Sequence, residues 1–235
     1  RLDAQLGTDG QEPVSTPNFP NHCYYLVARL SRSWIRYGYR SHQAAATAEV
    51  GHCGSVMRII AGNLGGRLIK APKGTGTRPM TDKVRAALFD SIGSIAGYKV
   101  LDAYAGSGAI GFEALSRGAA QVVAVEAGRQ ALQAIQANQK ELGVGWGYSL
   151  YQMTVEAWLA RQAEDQHFDL IIADPPYEQL RSDVLEKLRA LLAPDGRMVV
   201  SHSAKRRLPP LEGLRKVSDR IYGDSALALY RATGA

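Results

Sequence analysis

Apolar and polar positions along the chain fall into two regimes. Over residues 1–56, Pro13, Pro17 and Pro20, scattered arginines and an Ala-rich patch leave no sustained periodicity. This stretch is read as a poorly ordered or non-native extension, and Met57 as the position where the domain begins. From Met57 the pattern becomes regular. Arg58–Ala61 and Arg67–Ile69 predict two short strands about a Gly65-Gly66 turn. A loop rich in Gly, Pro and Lys follows. Thr81 is then placed to cap a helix whose Val84, Leu88 and Ile92 recur at four-residue spacing, with Gly93 or Gly97 to end it.

Beyond residue 98 short apolar runs alternate with amphipathic ones. The pattern predicts strands over 99–103, 121–126, 148–152, 168–173 and 197–201, and helices over 108–116, 129–141, 155–163 and 181–192. Two further strand candidates lie at 214–222 and 226–231. Strands interleaved with helices predict an α/β fold, a largely parallel sheet with helices on both faces. A ligand then belongs at the carboxyl ends of the strands. No internal repeat or low-complexity tract interrupts the series.

Composition narrows the setting. A hydrophobic content of 46% over 235 residues is enough for a full core. The formal charge of +6 and a pI near 9.4 suit a polyanionic partner. Cys23 and Cys53 both precede the regular region, which therefore has no thiols for a disulfide framework or a thiolate metal site. No apolar run approaches the roughly 18 to 20 residues of a membrane span, and the first residues lack the charged-then-apolar order of a signal peptide. A reducing, cytoplasmic setting is expected. The histidines, His167 and His202 among them, show no metal-ligand spacing and are expected at the surface or hydrogen-bonded, and Trp146 and Trp158 are expected to pack.

Candidate chemistry starts in Val100–Gly111, where a strand, a glycine turn and a helix start contain the string Gly-x-Gly-x-x-Gly. Alone the string says little. Between strand and helix it lets a ligand lie against the backbone and the helix N-terminus. Glu126 ends the next strand 20 positions beyond Gly106, where a carboxylate accepts from ribose hydroxyls. Asp102 selects the cofactor. A carboxylate just before the loop would repel the pyrophosphate of a dinucleotide, whereas S-adenosylmethionine carries an ammonium and a sulfonium that it stabilises. Asp102, Ala103, Gly106, Ser107, Gly108 and Glu126 are thus the expected cofactor contacts. Thr154 joins them as either an adenine contact or a cap on the following helix.

The strand over 168–173 delivers Asp174-Pro175-Pro176-Tyr177 to the same edge. Two prolines fix φ and bias each preceding residue toward extended backbone, so the turn holds its carbonyls rigidly. An exocyclic amine conjugated to a base is a poor nucleophile. Accepting its two N–H groups through the Asp174 carboxylate and the Pro175 carbonyl would aim its lone pair at a methyl donor and stabilise the developing positive charge. Tyr177 would stack on the base. The methyl already has a good leaving group, so neither metal nor covalent nucleophile is required.

Between Met57 and Leu88 stand Arg58, Arg67, Lys70, Lys73, Arg78, Lys83 and Arg85 against one acid, Asp82. Arg58, Arg67, Lys70, Arg78, Lys83 and Arg85 are the expected RNA phosphate contacts. Lys205, Arg206 and Arg207, beside two prolines, are placed to add to the same face.

These motifs together resemble the RsmD family of bacterial 16S ribosomal RNA guanine N2-methyltransferases. Met57–Gly62 is similar to its opening, Arg78-Pro79 through Arg85 to its first helix motif, and Asp102–Gly111 to its cofactor loop. Asp174–Tyr177, Tyr222-Gly223-Asp224 and Leu229-Tyr230 continue the likeness across about 179 of 235 residues. The resemblance implies a Rossmann-like class I S-adenosylmethionine-dependent methyltransferase domain over residues 57–235. It would hold a seven-stranded, mainly parallel sheet with an antiparallel final strand, and a small hairpin and helix as a basic arm over 57–97. It also implies a monomer acting on the guanine-966 type of target within the small ribosomal subunit or its assembly intermediate. Met80 stands where the family usually has Thr, and residues 1–56 have no counterpart. A DNA amino-methyltransferase or a protein glutamine N-methyltransferase could use the same turn. A non-catalytic RNA-binding module would explain the charge but not Asp102, Glu126 or Asp174, and a nicotinamide dehydrogenase would explain the glycines but not the acid before them.

Overall fold

The computed structural model describes residues 56–72, 80–161 and 166–233. The stretch read as an extension lies outside them, apart from Val56, and so do Lys73 and Arg78 of the basic arm.

Strand runs whose apolar side chains face both sides build the centre of the sheet. In β3 (Lys99–Asp102), β4 (Gln121–Glu126) and β6 (Phe168–Ala173) almost every residue is buried. Period-two alternation sends Val100, Val122, Leu170 and Ile172 to one core and Leu101, Val123, Ile171 and Ala173 to the other. With β5 (Tyr148–Gln152), β7 (Leu192–Ser203), β8 (Leu214–Tyr222) and β9 (Ser225–Ala232) they form one seven-stranded sheet in the order β5-β4-β3-β6-β7-β9-β8. Strands β3 to β7 pair in parallel, and β9 runs antiparallel between β7 and β8. The expected sheet is therefore present.

The first strand, expected over Arg58–Ala61, lies over Val56–Arg58 instead, and two further elements depart from the sequence reading. Strand β7 begins at Leu192, five residues early. Phe168 pairs with Leu192 but Leu170 with Arg197, so Pro194-Asp195-Gly196 is taken up as an irregularity inside the strand. The helix expected over 155–163 stops at Leu159.

Helices α2 (Ala109–Ser116) and α3 (Arg129–Leu142) cover the first core together with α1 (Asp82–Ile92), while α4 (Val155–Leu159) and α5 (Ser182–Ala190) cover the second. Thr81 caps α1 by accepting from the Val84 N–H, and Gly93, at φ +81°, ends it. The short strands β1 (Val56–Arg58) and β2 (Leu68–Lys70) pair antiparallel with Met57 opposite Ile69, both buried.

Polar anchors on α2 and α3 fix this hairpin. The fully buried Glu113 carboxylate accepts from Ile60 N at 2.7 Å, Ala61 N at 3.1 Å and Arg117 Nε at 2.7 Å. Gly62 sits so close to α2 that a Cβ there would meet the Ser116 carbonyl oxygen at 1.8 Å. Removing Glu113 strands two backbone donors and a guanidinium, so Glu113→Ala is expected to cost about 3 kcal/mol. In thermal unfolding that reads as a Tm lowered by roughly 10 °C; an unchanged Tm would show that the anchor contributes nothing.

Candidate active site

The chain builds β3, β4 and β5 outward in one direction, then returns to lay β6 on the other side of β3. That reversal is the switch point at which open α/β sheets bind ligands. Asp102 pairs in register with Ile172, and Ala103 N donates to the Ile172 carbonyl at 2.9 Å. The glycine loop and the Asp174 turn therefore leave the sheet side by side.

Two glycines shape the loop for different reasons. Gly108 lies at φ +80°, and a Cβ there would sit 2.6 Å from Phe112 Cε2, so it lets α2 approach the sheet. Gly106, at φ +55°, has no atom within 4 Å of the Cβ position, which leaves its backbone open to a ligand. Glu126 braces the loop, accepting from Gly106 N at 2.7 Å and Gly128 N at 2.6 Å. Two amide bonds leave further lone-pair positions on the half-buried carboxylate for ribose hydroxyls. Thr154 is a helix cap, accepting from Ala157 N at 3.2 Å, and its hydroxyl proton is still available to donate.

Asp102 is fully buried. Its Oδ2 accepts from Gly111 N at 3.1 Å, and Oδ1 has no partner among the described residues. Burial, and after it the Asp174 charge, push its carboxyl up to about 7 against the pull of the Gly111 N–H. A buried acid with an idle oxygen, next to a second acid, is a place where a cationic ligand is stabilised. That chemistry fits the ammonium and sulfonium of S-adenosylmethionine. The buried Tyr148 hydroxyl, also unpartnered, lies against this loop, close to where Cβ atoms on Gly108 and Gly111 would fall, and its ring stacks on Phe112 at 4.7 Å.

Ala173 is buried and Asp174 half-buried at the end of β6. Burial raises the Asp174 carboxyl, and a hydrogen bond from the Ser201 hydroxyl on β7 lowers it. Pro175 is buried, and Pro176 at φ −52° leads into a single 3₁₀ turn over Tyr177–Gln179. The Tyr177 hydroxyl donates to Ser225 Oγ on β9 at 2.6 Å, which pins the half-buried ring. Asp102, Ala103, Gly106, Ser107, Gly108, Glu126 and Asp174–Tyr177 thus share one edge.

Sequence reasoning missed several supports. Asn138 on α3 is buried, and its amide donates to the Ser107 carbonyl at 3.2 Å while exchanging bonds with Lys70 N and O. Ser201 sits in a run that reads only as strand, and Ser225 falls just before another. Their partners, Asp174 and Tyr177, lie far away along the chain, so no local pattern marks them.

The basic arm needs correction. Arg85 is not a phosphate contact. It lies on the same stripe of α1 as Leu88 and Ile92 and is fully buried, donating to Asp82 at 2.9 Å and to the Arg58 carbonyl, with Nε and Nη1 unpartnered. Arg67 spends its guanidinium on the last carbonyls of α3, Leu142 O at 3.0 Å and Glu141 O at 2.5 Å. Lys70 forms an exposed pair with Glu141 at 3.3 Å. Arg58 and Lys83 are exposed. Trp146, expected to pack, is 78% exposed, whereas Trp158 is buried in the second core. His202 is satisfied by Asp219 at 3.0 Å and the Ser203 carbonyl at 2.9 Å.

Known proteins resemble this chain in sequence and in fold. The chain is 36% identical over 184 residues to YlbH of Bacillus subtilis, covering 76% of this chain and all of that one. It is 35% identical over 147 residues to the ribosomal RNA small subunit methyltransferase D of Escherichia coli, covering 62% of this chain and 71% of that one. The solved structure of yhhF from Escherichia coli superposes with a TM-score of 0.69 at 29% identity, covering 77% of this chain and all of that one. The fold is that of the class I S-adenosylmethionine-dependent methyltransferases. The family model described as conserved hypothetical protein 95 matches residues 57–231, nearly all of the stretch that builds the hairpin, the sheet and its ligand edge, and the chain accordingly belongs to that family, the RsmD family of methyltransferases.

Proposed function

We propose that this protein methylates the exocyclic N2 of a guanine in small-subunit ribosomal RNA, at a position of the guanine-966 type, with S-adenosylmethionine as donor. The observation that carries the reading is the adjacency of Asp102 and Asp174, one in the cofactor loop and one in the amine-binding turn, across the switch point of the sheet. The name of the Escherichia coli relative supports ribosomal RNA as the substrate.

S-adenosylmethionine, when bound, supplies a methyl group on a positively charged sulfur. Asp102 and the Glu126-braced glycine loop hold the donor's cationic and ribose portions. The Asp174 carboxylate and the Pro175 carbonyl accept the two N–H groups of the guanine amine, which turns its lone pair away from the ring and toward the donor. As nitrogen gains its methyl it becomes cationic, and Asp174 offers a base for the proton released. Tyr177, its hydroxyl tied to Ser225, presents a fixed face for the base. Residues 57–235 form the catalytic domain and residues 1–56 are dispensable to it. The enzyme acts as a cytoplasmic monomer on the small subunit or an assembly intermediate.

The test incubates the full chain, and a chain starting at Met57, with labelled S-adenosylmethionine. Naked 16S ribosomal RNA, small subunits, duplex DNA and total protein are offered in turn, followed by nucleoside digestion. N2-methylguanosine from small-subunit RNA at similar rates for both chains is expected. Label confined to methyladenine, methylcytosine or glutamine would replace the proposal with a DNA or protein methyltransferase.

A further inference from the structure

We propose that Lys205, Arg206 and Arg207 form the phosphate clamp for the nucleotide whose base occupies the Asp174–Tyr177 turn. This rests on the RNA reading above and assigns substrate grip to a segment other than the amino-terminal arm.

Strand β7 runs parallel to β6 and ends at Ser203, so the chain leaving it emerges on the same edge as Asp174. The backbone there is fixed. Ala204 N donates to the Asp224 carbonyl at 2.9 Å, Arg206 N to the Ser203 carbonyl at 2.9 Å, and Lys205 N to Ser203 Oγ at 3.4 Å. From this braced turn Arg206 Nη1 reaches the Tyr177 carbonyl at 3.4 Å, a long single bond that leaves most of the guanidinium's five N–H groups free. The clamp and the base platform are therefore in direct contact.

Charge pairing separates this triplet from several other cations, and contact with the Asp174–Tyr177 turn separates it from the rest of the unpaired ones. Arg117, Arg181, Arg189 and Lys216 each sit 2.7 to 2.9 Å from a carboxylate. Lys205, Arg206 and Arg207 are exposed, and among the described residues none has an acidic partner. Three consecutive positive charges with no acid in ion-pair contact, held beside a turn that takes a neutral base, fit the backbone of that same nucleotide. A base lifted from its stack keeps its phosphates at the rim of the pocket, where this triplet stands. The arm offers less, because Arg85 is buried and Arg67 caps α3.

The experiment measures binding of a fluorescent 16S ribosomal RNA fragment against KCl concentration for the wild type, the triple Ala variant at Lys205, Arg206 and Arg207, and Arg206→Lys. Each lost phosphate contact flattens the slope of log K against log salt by about 0.7 on single-stranded RNA, so the triple variant should lose about 2. KM for RNA should rise at least roughly tenfold at physiological salt, well beyond the change in kcat, while Arg206→Lys keeps the slope. S-adenosylmethionine affinity by titration calorimetry should stay within about twofold. An unchanged slope and KM would overturn the clamp, as would an equal loss of cofactor affinity, which would mark the triplet as structural. If the wild type methylates no RNA at all, the RNA reading itself fails. If it methylates ribosomal RNA while the triple variant keeps its slope, only the clamp does.

Discussion

Asp174→Asn lowers kcat for methyl transfer by about 10³-fold and leaves S-adenosylmethionine affinity within about threefold, because the side chain meets the amine and not the donor. The amide oxygen can still accept an N–H, but without the negative charge it no longer stabilises the nitrogen as that becomes cationic. The substitution also removes the base that takes the proton. The Ser201 hydroxyl now holds the carboxylate in place, and the buried Pro175 keeps its backbone from adjusting. Single-turnover rates with saturating donor and RNA separate this from a binding defect. A rate within tenfold of the wild type would remove Asp174 from the chemistry. The variant carries a second signature: Asp174 is the second cause of the high Asp102 pKa, so losing its charge should move the Asp102 transition to lower pH.

Asp102→Ala is expected to weaken S-adenosylmethionine binding by about 100-fold, a loss of roughly 2.7 kcal/mol, by removing the one fully buried carboxylate in the glycine loop. The wild type carries a pH dependence of defined sign. In the empty protein Asp102 is raised to about 7, so from about pH 4 to 7 the folded state holds a proton that the unfolded chain has released. Stability from this group is fully present below pH 4 and fades as pH rises through 7. Donor binding runs the other way, since the ammonium and sulfonium favour the carboxylate. Affinity should rise about tenfold from pH 6 to pH 8, with close to one proton released per donor bound near pH 6. Titration calorimetry in two buffers of different ionisation enthalpy reads that proton directly. A flat affinity profile, with no proton exchanged, would show that Asp102 is ionised before the donor arrives.

Local rules made much of this site legible. A glycine string between a strand and a helix, an acid at the next strand end and a rigid Asp-Pro-Pro-Tyr each have a backbone reason to stand where they do, and the sheet order brings them together. What escaped was set by the third dimension. Arg85 reads as one more cation in a basic run, yet helical periodicity turns it onto the stripe of Leu88 and Ile92. Arg67 looks free until α3 ends beside it. Trp146 looks like core by composition, but follows Gly145 on the rim of β5, where nothing covers it. The sequence predicts a shorter β7 because Pro194-Asp195-Gly196 has the chemistry of a turn, and only pairing with Phe168 extends the strand.

The side-chain amide of Asn138 grips the backbone of Lys70 from both sides and the carbonyl of Ser107 as well. The small hairpin is for that reason no loose ornament on the catalytic sheet. It is tied to the glycine loop through one residue whose removal would leave orphaned backbone groups in two separate segments at once.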